Sequence, residues 1–591
     1  MDSELRPWKR SIRKGGFRAC MFVYALAGLD GIGSVANLSM FVLYFKTVMQ
    51  FDISQSANTL TNYIGSTYLL SLLGAFISDT YLTRLTTCLS FGFLQIAALI
   101  MITIQAYSKG LQPDPCDKPV CVKGGEAAMF YISLTLLALG AGGVRGSLAP
   151  LGADQFDRNQ PKGAKGLASY FNGLMLSVTF GAIIGVTAVI WISFRKGWYW
   201  GFFIGTITST IGFIFLALGK PFYLNQPPGI SPISRVTQVF VIAIRNRKLP
   251  LPEDDRDLYD IDEEERQPWE EKVLHTNQFR CLDRAAIVRE DGELVQGSHR
   301  CLKRGAIVSE DGELVQGRQG ICTVTQVEEV KVLIRMFPIL ASTIIMNTCL
   351  SQLQTFSMMQ GYSMDPHLGS FDFPSASIPV IPLFFMCVLI PIYEFIFVPF
   401  ARKYTGHPAG IPQLRRVGVG LILCALSMAI AAVVEVKRRD RALKSPQEKP
   451  LSLFWLSFQF GIFGVADMFT MVGLMEFFYK EAPAGMKSLS TSFAPLSLAF
   501  GAFLSSVVVD LFNWVTGRIS GNGKGWLYGK DLNHNRLDVF FWFLAILSSL
   551  NFANYLFWAK WYKYRESQQD TNTNTNNSPH FTPQMKELLE Q

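Results

Sequence analysis

The chain has 591 residues, of which 49% are hydrophobic, 13% aromatic and only 17% charged. So little charge in so long a chain excludes a single water-soluble core as the main architecture. The net charge of +8 calls for no nucleic-acid partner, because much of it flanks apolar stretches on one side, as in chains threaded through a bilayer.

A basic segment comes first, with Arg6, Lys9, Arg10, Arg13, Lys14 and Arg18 directly before the first apolar run. Six runs long enough to cross a bilayer then follow, at 19–45, 61–80, 87–106, 127–150, 167–192 and 197–219. After a long polar interval come six more, at 332–360, 377–400, 412–435, 452–479, 488–512 and 538–560. A spanning helix needs ~20 predominantly apolar residues, and backbone groups in hydrocarbon must be satisfied within their own segment. The runs therefore predict an all-α polytopic membrane protein of twelve transmembrane helices in two halves. A membrane barrel would show short alternating strands instead.

The expected organisation is a cytosolic segment 1–18, a first bundle over 19–220, a cytosolic central loop over 221–331, a second bundle over 332–562 and a disordered cytosolic tail over 563–591. Basic residues in the loops at Arg158, Lys162 and Lys165 and at Arg402, Lys403, Arg415 and Arg416 place both termini on the cytosolic side. One loop opposes this, with Lys437, Arg438, Arg439, Arg441 and Lys444 on the outward side. No cleavable signal peptide is evident, since the first run is too long and lacks a small-residue cleavage site. Of ten cysteines, Cys116 and Cys121 fall in an outward loop where a disulfide is chemically allowed, as is a pair of free thiols.

The central loop carries a direct repeat. Residues 281–300 (CLDRAAIVREDGELVQGSHR) match 301–320 (CLKRGAIVSEDGELVQGRQG) at 14 of 20 positions. Two copies are too few for a solenoid, so a local duplication in a tolerant surface loop is the simpler reading. The Asn/Thr-rich tail after Glu566 has the composition of a disordered segment.

Charges inside spans are costly, so each calls for a partner or a polar cavity. Asp30, Arg145 and Asp467 stand out by depth and lie in both halves. A polar chamber between the halves lets Arg145 meet an anionic substrate and makes Asp467 a candidate proton carrier; the blander alternative is that these charges brace helices. Asp79 and Arg84 flank the short loop after the second run and read as a gating latch. Gly140, Gly142, Gly143, Gly146 and Pro150 allow close helix contact and bending. Phe76, Phe180 and Phe356 read as packing residues, and His275 and His367 as loop histidines. No phosphate loop is present, which argues against direct ATP driving, and no pattern points to an enzyme, a metal or another cofactor.

Several segments together resemble the plant nitrate/peptide transporter family, within the proton-dependent oligopeptide transporters of the major facilitator superfamily. They are SANTLTNYIGSTYLLSLLGAFISDTYLTR (56–84), LALGAGGVRGSLAPLGADQFD (137–157), HTNQFRCLDRAAIV (275–288), CTVTQVEEVKVLIRMFPI (322–339) and MEFFYKEAPAGMKSLSTS (475–492). The resemblance implies two six-helix bundles, substrate near the midplane and alternating access by rocking of the halves. The family's E-x-x-E-[RK] motif of the first helix falls on Ala27-Gly28-Leu29-Asp30-Gly31, where Asp30 alone keeps its charge. The helix-4 lysine position holds Arg145, the helix-10 glutamate position Asp467, and the helix-7 histidine position Leu350. In the helix-5 F-Y-x-x-x-N-x-G pattern the glycine is kept at Gly181 and the asparagine falls on Thr179. A secondary transporter is thereby expected, proton-linked through Asp467 with Asp30, moving a small organic solute such as a hormone carboxylate or a glycosylated metabolite. Arg145, Asp467, Leu350 and Thr179 would face the substrate, and the plasma membrane is the expected location. The rival readings are a nitrate or peptide symporter, an uncoupled facilitator and a transport-inactive receptor that signals through the central loop.

Overall fold

The computed structural model describes residues 15–114, 122–156, 161–224, 232–251, 258–259, 275–287, 307–308, 314–315, 322–368, 371–385, 400, 403, 411–444, 449–481, 493–520, 525–529 and 531–562. Cys116, Cys121, the tail and most of the run at 377–400 lie outside them.

Eleven helices among the described residues are long and apolar enough to cross a membrane. In the first bundle they are α1 (Phe17–Thr47), α2 (Ile53–Thr80), α3 (Arg84–Tyr107) and α4 (Gly124–Ala153). The fifth crossing is built from α5 (Pro161–Ile184), a π-helical turn at Gly185–Val189 and α6 (Ile190–Lys196); α7 (Trp198–Leu218) completes the set. A short amphipathic helix, α8 (Pro232–Arg245), follows in the central interval. The second bundle holds α9 (Val324–Tyr362), α10 (Gln413–Lys444), α11 (Leu456–Glu481), α12 (Phe493–Ile519) and α13 (Leu537–Trp561). The described part of the expected eighth crossing is a short apolar helix at Ser375–Phe385.

Most helices outrun the apolar segments that predict them, because backbone hydrogen bonding continues past the lipid boundary wherever a cap or a partner is available. The clearest case is α9, which starts inside the stretch expected to be loop. A reciprocal capping box opens it: Thr323 Oγ1 accepts from the Gln326 amide, and the Gln326 side chain accepts from the Thr323 amide. Similarly, α10 carries its helix through the basic run at its end, the run that opposes the charge rule. Arg438 is buried and held by Glu435 through two hydrogen bonds of 2.8 Å, and it donates to Asn533 Oδ1 at 2.7 Å. Arg439 pairs with Asp538, and Lys437 lies 4.6 Å above the Trp455 ring.

The bundles meet at one end, where α1 finishes and α2 begins. Ser54 Oγ donates to Leu527 O at 2.9 Å, Asn58 Nδ2 to Asp510 Oδ1 at 2.7 Å, and Thr61 and Ser506 share a hydroxyl bond of 2.6 Å. Ser506 also reaches Asn62, and Ser377 Oγ donates to Val186 O at 2.6 Å. Lys46 of α1 lies 5.7 Å from the Tyr362 ring at the end of α9. Every hydrogen bond between the bundles found among the described residues belongs to this end.

The central interval is anchored at the other end. Segment 275–287 forms a 3-10 turn (Arg280–Ala286) against the first turns of α9 and one side of α8. Val239, Ile242, Leu282, Ala285, Val327 and Val330 make an apolar seam there. Cys322 N donates to Ala285 O and Val324 N to Tyr259 O, both at 2.9 Å. Above the seam a charged cluster closes: Lys331 Nζ meets Asp283 Oδ1 at 2.6 Å, Glu328 Oε1 at 2.7 Å and Thr276 O at 2.9 Å. His275 Nε2 lies 3.2 Å from Asp283 Oδ2. His275, read from sequence as a loop residue, is thus part of a structural clamp. The docked strip belongs to the first copy of the repeat; the second copy has Lys303 where the first has Asp283.

Candidate functional site: a guanidinium and two carboxylates in the bundles

The glycine-rich stretch of α4 sets the geometry around Arg145. A Cβ on Gly142 would sit 2.7 Å from Thr67 O, and one on Gly146 only 2.1 Å from Ser71 O, so α2 and α4 touch backbone to backbone. On the opposite side, Cβ atoms at Gly140 and Gly143 would run into Gln95 and the Phe91 ring of α3. These small residues let three helices converge on one point, as small-residue interfaces do in membranes. The contact with α2 carries Tyr68 over Arg145, whose guanidinium lies 4.7 Å from the ring centroid. A cation over an aromatic face gains about 0.5–2 kcal/mol, more where water is scarce.

Arg145 lies within the apolar α4, with an exposed side chain. Tyr63, Tyr68 and Asp30 share its electrostatic surroundings.

Asp30 of α1 is held firmly. Its Oδ1 accepts from Gln95 Nε2 of α3 and Ser209 Oγ of α7, each at 2.7 Å. Gln95 reaches it because Gly140 lets α3 close on α4. Around Asp30, α1 packs closely on α5. A Cβ on Gly28 would meet Ser177 Oγ at 2.9 Å, and a Cβ on Gly181 would lie 2.1 Å from Gly28 O. Gly31 faces Val178 O at 3.2 Å, and Ala27 is buried. Close backbone packing occupies the space that longer charged side chains would need.

In the second bundle, Asp467 of α11 is half-buried, and its buried Oδ1 has no hydrogen-bond partner among the described residues. Cys424 of α10 lies within its electrostatic reach. Gly464, one turn earlier, packs on Pro382 of the short Ser375–Phe385 helix. Leu350 is half-buried on α9 against the core, beside the buried Cys349, whose thiol lies 3.3 Å from Ser548 Oγ. Thr179 is half-buried on α5. The structure brings Asp30 and Arg145 together; Asp467 and Leu350 sit in the other bundle, and no contact joins them to Arg145 among the described residues.

Arg84 forms its short ion pair with Asp154 at the end of α4, 2.6 Å apart, and donates to Pro150 O at 2.9 Å. It therefore ties α3 to α4 within one bundle; the Asp79 side chain lies outside the described residues. Phe356 is buried against Phe540 as a packing residue, and Phe76 lies edge-on to Tyr81, whereas Phe180 is two-thirds exposed on α5. Sequence reading missed Tyr68, Gln95 and Ser209, which are neither charged nor periodic in a telling way. Nor did it single out Asp510, which joins the two bundles.

Two bundles of membrane-crossing helices joined at one end make the fold of a major facilitator carrier. The POT family model matches residues 85–527. Among curated relatives, Protein NRT1/PTR FAMILY 4.6 of Arabidopsis thaliana is 39% identical over 585 residues, covering 94% of this chain and 95% of the relative. Protein NRT1/PTR FAMILY 4.3 of the same plant is 39% identical, covering 95% of this chain and 92% of its own length. In fold, the chain is similar to an auto-inhibited POT family peptide transporter at 17% identity, with a TM-score of 0.65 over 92% of this chain and 97% of that one. A POT family transporter in complex with 5-aminolevulinic acid gives 0.61 at 13% identity, over 93% and 98%. The chain belongs to the POT family, and its relatives are plant NRT1/PTR transporters.

Proposed function

We propose that this membrane transporter is a proton-linked secondary carrier of a small organic solute bearing an anionic group, working by alternating access. The observation that carries the reading is Arg145, an exposed cation set within an apolar helix with its face on the Tyr68 ring. Such a group discriminates for carboxylates through paired, charge-assisted hydrogen bonds. A structural neighbour that binds 5-aminolevulinic acid, itself a small carboxylate, fits this class. Asp467, with an unpartnered carboxylate oxygen, is the residue best placed to exchange a proton, and Thr179 and Leu350 would line the solute's path. With both termini on the cytosolic side, a reading the basic flanks support, the joined end faces outward. The plasma membrane is the proposed location.

Uptake of radiolabelled organic acids into oocytes at acidic and at neutral external pH tests the proposal. Acid-stimulated uptake that Asp467→Asn renders pH-independent, and that Arg145→Gln abolishes, is the expected result. Uptake indifferent to both variants would overturn it. A second reading, an uncoupled facilitator, draws on one observation: Asp30 is fixed by Gln95 and Ser209, and glycine packing has replaced its motif partners. Accumulation of solute above its external concentration excludes that reading.

A further inference from the structure

We infer that α8 lies flat on the cytosolic membrane surface and binds anionic lipid headgroups, fixing the central loop to the bilayer from which α9 emerges. The helix is two-sided. Val239, Ile242 and Ala243 enter the seam with Leu282, Ala285, Val327 and Val330, which fastens one side to the protein. On the opposite side Phe240, Val241 and Ile244 are 39%, 58% and 62% exposed. At helical spacing these three share one arc with Arg245, and Arg247 and Lys248 follow in the turn that closes the helix. Among the described residues no carboxylate pairs with Arg245, Arg247 or Lys248.

Depth selects lipid over a soluble partner. Phe337 is the first large apolar side chain of α9 that the bundle leaves exposed, and it lies seven residues beyond Val330 in the seam. At 1.5 Å per residue that is about 10 Å along the axis, which puts α8 at the headgroup layer flanking the hydrocarbon core. An apolar face bordered by arginine and lysine at that depth has the chemistry of an interfacial helix. The apolar residues sink to the acyl boundary while the cations meet phosphate and carboxylate headgroups. This inference stands apart from the proposed solute and from proton coupling.

The test is hydrogen exchange over residues 235–248 of the full-length protein, compared in detergent, in phosphatidylcholine nanodiscs and in nanodiscs containing phosphatidylserine. Exchange should slow in phosphatidylcholine and fall roughly tenfold further with phosphatidylserine, with added salt reversing the second step. The triple variant Arg245→Gln, Arg247→Gln, Lys248→Gln should lose the serine-lipid increment alone. Phe240→Ser with Ile244→Ser should lose protection in both lipids while residues 275–287 stay protected, which separates lost lipid contact from lost folding. Equal exchange in detergent and both lipids overturns the inference, as does protection that appears only when a cytosolic protein extract is added.

Discussion

Replacing Lys331 by methionine should release the central loop from the base of α9. The ammonium is fully buried and spends its three hydrogens on Asp283, Glu328 and Thr276, at 2.6, 2.7 and 2.9 Å. Removing it leaves two buried carboxylates, with Arg335 the neighbouring cation, 3.5 Å from Glu328. Breaking a buried pair by deleting one partner costs about 3–5 kcal/mol, because the remaining charge cannot return to water without opening the structure. If that cost falls on local opening, the open population of 275–287 rises by about two to nearly four orders of magnitude, which amide exchange in the intact protein reads directly. Asp283→Asn combined with Lys331→Met restores balance between Glu328 and Arg335. The double variant should therefore be less open than the summed single effects predict, by about 1–3 kcal/mol. Strictly additive variants, or exchange in Lys331→Met unchanged from the parent, would refute the reasoning.

Asp283→Lys gives the docked strip the residue that its duplicate carries at position 303. Set against Lys331 and Arg335 it should expose the loop to trypsin, whereas Lys303→Asp should leave the digestion pattern of the docked strip unchanged. Thr61→Val with Ser506→Ala deletes a 2.6 Å bond between the bundles. Losing about 0.5–1.5 kcal/mol there should raise the population with that end open by roughly two- to tenfold, measured by spin-label distances across the α2–α12 contact. Gly146→Leu forces a side chain into Ser71 O, where even a Cβ would stand 2.1 Å away. It should separate α2 from α4 and lower the yield of folded protein on size-exclusion chromatography, while Gly110→Leu, in open space, should not. Arg145→Lys should retain part of the uptake that Arg145→Gln loses, because an ammonium keeps the charge but not the fork.

The hydrophobic runs alone determined the membrane class and the approximate position of every described crossing. Lipid supplies no backbone partners, so a long apolar run has one available structure. The charged residues at depth were also legible: Asp30, Arg145 and Asp467 stand out because hydrocarbon makes each of them expensive. What those charges touch was not legible. Tyr68 covers Arg145 because four glycines of α4 admit α2 and α3 to backbone contact, and Gln95 finds Asp30 by the same convergence. The joining of the bundles rests on Asn58, Thr61, Ser506 and Asp510, ordinary polar residues whose meaning comes from chain segments some 450 positions apart. The partners of the basic run at 437–444 were equally hidden: Glu435 and Asp538 pair with Arg438 and Arg439, and Asn533 accepts hydrogen bonds from both. Composition fixes which segments leave water; pairing among the few polar groups that go with them depends on distances only the folded chain possesses.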